Sequence, residues 1–76
     1  MNYSKEQIEE MEMLLLFNIN STQEGIKVHS RAGESAVATA RRLYQKGLIT
    51  QIDGGYLTRI GYQAAEHAHR LRSILN

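Results

Sequence analysis

Apolar residues along this chain change their spacing several times, and each change marks a predicted element. From Ile8 to Phe17 they recur every three or four positions. Ile8, Met11, Leu14 and Leu15 make one helical stripe, and Met13, Leu16 and Phe17 make a second, so this helix begins amphipathic and ends apolar nearly all round. Ser4 and Gln7 have capping-box spacing, and Tyr3 with Ile8 fits a hydrophobic staple. Glu6, Glu9 and Glu10 suit the positive end of the helix dipole. Asn18-Ile19-Asn20-Ser21 ends the helix.

Ser21-Thr22-Gln23-Glu24 repeats the capping-box spacing, but Gly25 and the β-branched Ile26 and Val28 follow at once. That leaves room for at most one helical turn before a short strand at Ile26–His29. Ser30 can cap a second helix running to about Lys46. Ala36, Val37, Ala40, Leu43 and Tyr44 share one of its faces. Arg31, Ser35, Ala38, Arg41, Arg42 and Gln45 lie on the other, with Thr39 and Lys46 toward the edge. Gly47 can take the left-handed conformation that stops a helix. Leu48–Ile52 and Tyr56–Leu57 predict a hairpin around Asp53-Gly54-Gly55. Thr58 offers an N-cap oxygen to a last helix from about Arg59. In that helix Ile60, Ala64, His67, Ala68, Leu71, Ile74 and Leu75 form a stripe. The strand should join the hairpin in a three-stranded sheet.

Lys46-Gly47-Leu48-Ile49, the glycine hairpin and Leu57-Thr58-Arg59-Ile60-Gly61 resemble the second half of winged helix-turn-helix regulators of the MarR and PadR type. The likeness covers residues 34–61. It implies a small α+β winged-helix-like domain spanning residues 1–76, in the order helix, short strand, helix, two-stranded wing, helix. It also implies a DNA-binding transcriptional regulator or small nucleoid-associated protein. The departure is a shortened or missing positioning helix, which in a complete helix-turn-helix crosses the phosphate backbone. Over its whole length the chain resembles a family of small bacterial proteins, some labelled as related to an inhibitor of DNA-binding proteins. Thr22 through His29 and Lys46 through Thr58 carry that likeness.

Composition adjusts this picture. Seventy-six residues are near the size where one core is only marginally sufficient. Without cysteine there are no disulfides or thiolate metal sites, which fits a reducing cytoplasm. The net charge is only +1, yet residues 1–30 sum to −3 and residues 31–76 to +4. That asymmetry permits binding to a polyanion through one side, or head-to-tail self-association. The apolar run Met13–Phe17 is too short to span a bilayer, so no membrane partner is expected.

Candidate chemistry is sparse. The exposed face of the second helix, with Arg31, Ser35, Ala38, Thr39, Arg41, Arg42 and Lys46, is the candidate surface for double-stranded DNA. The hairpin tip carries Asp53 where DNA-binding wings commonly offer a cation. His67 and His69 stand two apart and face different ways on a helix, His67 within the apolar stripe and His69 on the wet side. No metal or cofactor is expected. No constellation meets the geometric roles of an active site, which predicts a non-enzyme. Met13, Leu16 and Phe17, with His67, Leu71, Ile74 and Leu75, are the candidate homodimer interface. The alternative function is a protein-interaction module on a trimmed winged-helix frame without DNA readout.

Overall fold

The computed structural model describes residues 2–21 and 23–76. Three helices and a three-stranded antiparallel sheet make an α+β fold of winged-helix-like layout. The elements are α1 (Lys5–Leu14), β1 (Ile26–Lys27), a 3-10 turn (Ser30–Ala32), α2 (Glu34–Gln45), β2 (Ile49–Gln51), β3 (Gly54–Leu57) and α3 (Arg59–Leu75).

The capping box at the start of α1 is formed as its spacing requires. Ser4 Oγ accepts from the Gln7 amide at 3.0 Å, and Gln7 Oε1 accepts from the Ser4 amide at 2.9 Å. The helix ends at Leu14 rather than Phe17. Its last turn tightens, with the Leu16 amide donating to Met13 and the Phe17 amide to Leu14. Asn18 blocks continuation: Oδ1 takes the Asn20 amide and Nδ2 donates to Glu24. The tightened turn changes the phase of the apolar pattern. Phe17 swings into the core at 2 % exposure, while Leu16 is left outside at 67 %.

No helix is assigned among the described residues between Asn18 and β1. Ser21 Oγ accepts from the Gln23 amide in a local turn. Thr22 lies outside the described residues. Among the described residues, then, no positioning helix precedes β1.

The second helix starts later than its sequence pattern suggests. Residues 30–32 wind as the 3-10 turn, and Gly33, at φ 104°, occupies the cap position with no side-chain cap. Its far end is a Schellman motif, with the Gly47 amide on Tyr44 and the Leu48 amide on Leu43. Thr58 then clasps this end to α3. Its amide donates to the Leu48 carbonyl, its hydroxyl donates to Gly47 at 2.6 Å, and the same oxygen caps the Gly61 amide. Gly61 lets α3 ride against the Leu48 carbonyl, where any Cβ would collide.

The strand order is β1-β3-β2, so the strand from the first half of the chain does join the hairpin. Two details differ from the sequence pattern. The first strand is only Ile26–Lys27, although the Val28 amide still reaches the Asp53 carbonyl at 2.7 Å. The hairpin tip is Ile52-Asp53, and the glycines sit within β3. Gly54, at φ 132°, faces the Ile26 carbonyl so closely that a Cβ would strike it, so the glycine serves strand contact rather than the turn. The core inside this frame is Met13, Leu14, Phe17, Ala40, Leu43, Ile49 and Ala65.

Candidate functional site

Helical periodicity divides α2 into a stripe that meets α1 and a stripe that meets solvent. Ser35, Thr39, Arg42 and Lys46, at i, i+4, i+7 and i+11, form the first. Arg42 Nε donates to Glu10 Oε2 at 2.7 Å, and its Nη2 lies 3.5 Å from Glu9 Oε1. That Nη2 also donates to Thr39 Oγ1 at 3.1 Å. Lys46 Nζ donates to the other Glu10 oxygen, and the Ser35 hydroxyl donates to Glu9. Thr39 is 2 % exposed and donates to the Ser35 carbonyl. Glu10 is itself 7 % exposed, a buried carboxylate bracketed by two cations.

The electrostatics follow from that geometry. Burial alone would push the Glu10 carboxyl up, but hydrogen bonds from Lys46 and Arg42, with their charges, outweigh it and hold the group below its usual value. Arg42 is held above its ordinary value, chiefly by its hydrogen bond to Glu10. A phosphate approaching this stripe would have to displace carboxylates already in place.

Of the seven residues grouped from the sequence as one DNA-facing surface, Ser35, Thr39, Arg42 and Lys46 are therefore turned toward α1. Sequence periodicity puts Ser35 and Arg42 opposite the apolar face and Thr39 and Lys46 toward its edge, but it could not show that α1 covers that side. The available signal was charge segregation, acidic in the first 30 residues and basic afterwards. Part of that difference is neutralised inside the molecule. Arg31 is exposed on the 3-10 turn rather than on α2. Ala38 is half-buried, and Arg41 is exposed.

The solvent-facing stripe of α2 carries exposed Arg41 and Tyr44, with Val37 half-buried at its edge. Val28, Val37, Ala40, Arg41, Ile52 and Asp53 line a small cavity of about 100 Å3 where this stripe meets the wing. Asp53 at the wing tip pairs with Lys27 at 3.5 Å, while Ile52 beside it projects into solvent. The face is thus a tyrosine, two aliphatic side chains and one arginine, bordered by Glu34 and Gln45.

The proposed dimer residues also divide. Met13 and Phe17 belong to the chain's own core, a correction to their reading as an outward stripe, and the tightened end of α1 is the cause. Leu16, His67, Leu71, Ile74 and Leu75 are exposed. The inward face of α3 is centred on Gly61 and Ala65, with Tyr62, Ala68 and His69 half-buried beside them. Tyr62 donates its hydroxyl to the Ile19 carbonyl at 2.8 Å, and His69 Nε2 meets the Phe17 carbonyl at 2.9 Å. The two histidines exchange the environments expected of them, because small residues rather than large ones set the packed face. Among the described residues, no cluster of three or more His, Cys, Asp or Glu is placed to hold a metal ion, and no helix is long and apolar enough to cross a membrane.

A family model matches residues 1–76, and the chain belongs to that family, described as a family of unknown function (DUF5669). No curated protein and no solved structure gives a significant match.

Proposed function

We propose that this DUF5669 protein is a non-catalytic protein-interaction module, built on a winged-helix-like frame that lacks DNA readout. The observation that carries this reading is the engagement of Arg42 and Lys46 by Glu9 and Glu10. DNA affinity comes largely from cations that neutralise phosphates, and these two already have carboxylate partners. The lack of a positioning helix among the described residues and the Asp53 wing tip point the same way. The outward stripe of Arg41 and Tyr44, with Val37 at its edge and Ile52 beside it, has the composition of a protein contact, in which aromatic residues and arginine anchor an apolar centre.

The second reading is a DNA-binding regulator acting through Arg31 and Arg41, favoured by their exposure and by the β1-β3-β2 wing. Titration against duplex DNA at two salt concentrations separates the two. The interaction module predicts no binding even at low salt. Binding that weakens steeply with salt, and is lost in the Arg31→Ala, Arg41→Ala double variant, would overturn it.

A further inference from the structure

Another surface of the molecule, using none of the α2 stripe, carries an inference that stands whether or not α2 meets DNA. Met11 and Leu15 at the end of α1 face Ala68, Leu71, Arg72 and Leu75 of α3 across an open cleft of about 230 Å3. The cleft continues to the end of the chain, where Ile74 and Leu75 are 80 % and 75 % exposed. Ile8, one turn before Met11 and Glu12, is also exposed.

The charges beside this apolar strip are of opposite sign. Glu12 follows Met11 on α1, and Arg72 follows Leu71 on α3. Both are exposed. Glu12 and Arg72 are in no ion pair among the described residues, as is also true of Glu6, Glu34, Arg31 and Arg41 away from this cleft. One acidic and one basic flank on a single apolar strip make that strip complementary to itself. A twofold axis through this strip would set each Glu12 against the second copy's arginine at position 72, with the reverse contact following by symmetry.

We propose that this cleft binds a second copy of the chain, giving a closed homodimer in which α1 of one copy lies against α3 of the other. The strip is short, since only residues 68–75 of α3, about 12 Å of helix, line it, so the contact is small and a weak association is expected.

Sedimentation equilibrium tests the proposal, reading molecular mass across low-micromolar to millimolar concentration. The wild-type chain should approach twice its 8.6 kDa mass. The Leu71→Glu, Leu75→Glu variant, altered only at exposed positions, should keep its helical circular dichroism and weaken association at least about tenfold. Glu12→Arg should weaken it roughly tenfold through two symmetry-related like-charge contacts, and adding Arg72→Glu should restore it to within about threefold. A wild-type protein that remains monomeric at millimolar concentration overturns the dimer. Undiminished association of the Leu71, Leu75 variant rules out this cleft, and failure of Arg72→Glu to rescue Glu12→Arg rules out the twofold pairing.

Discussion

The two stripes of α2 share one backbone, and each carries an arginine, but they do different work. On the inner stripe, Arg42 and Lys46 close on a buried carboxylate, and Thr39 completes the network with its hydroxyl. On the outer stripe, Arg41 stands one residue from Arg42 and faces solvent. A helical rotation of about 100° per residue separates a structural cation from an available one. Counting basic residues on a helix therefore overstates its capacity for DNA unless the neighbouring helix is known.

The strongest way to break this contrast is to remove the shared carboxylate. Glu10→Ala leaves Lys46 without its carboxylate and Arg42 with only the longer carboxylate contact, to Glu9. It should lower unfolding stability by about 1–3 kcal/mol, between the ranges for exposed and buried pairs. Urea denaturation should show a lower midpoint with an unchanged slope.

Acid should produce the same loss in the wild-type chain. Glu10 is held below its usual value of about 4.5. Its contribution is thus fully present above the unfolded-state value and disappears as pH falls below it, through the folded-state value. The gap in thermal midpoint between wild type and Glu10→Gln should be constant near neutrality and shrink below about pH 4.5. A gap that persists at pH 2 would remove the carboxylate from the explanation.

Thr39→Val keeps the shape of the side chain but deletes a buried hydroxyl that both donates and accepts. A loss of about 1 kcal/mol is expected by the same denaturation measurement. On the outer stripe, Arg41→Ala should change stability by no more than about 0.5 kcal/mol, since nothing in the fold depends on its charge. A larger loss from Arg41→Ala than from Thr39→Val would erase the distinction between the stripes.

Local chemistry was the legible part of this fold. The Ser4 and Thr58 caps, the Gly47 stop and the membership of the first strand in the wing sheet all follow from side chains acting on backbone a few residues away, or from alternating patterns. What escaped was phase and cover. In α3 the stripe containing Leu71, Ile74 and Leu75 reads as a dimer interface and does stay exposed, but the face packed inside the chain is set by Gly61, which lies against Leu48 and has no hydrophobic signature at all. At the end of α1 a tightened turn moved Phe17 inward. In α2 the role of Arg42 was decided by a glutamate 32 positions earlier, a distance at which sequence spacing says nothing about facing.

The Thr58 clasp has a kinetic consequence. It joins residues 10 and 11 positions apart, whereas α1 is tied to α2 by contacts spanning 26 to 36 positions, and Phe17, just after α1, is tied to α3 by one spanning 52. Closing a loop of 36 rather than 10 residues costs about 1 kcal/mol more in chain entropy. The order of assembly should reflect that difference. The end of α2, the wing and the start of α3 should condense first, and α1 should dock on the finished unit. A substitution at Thr58 should therefore slow folding, and one at Glu10 should mainly speed unfolding, so that α1 is the part of the molecule that leaves first and returns last.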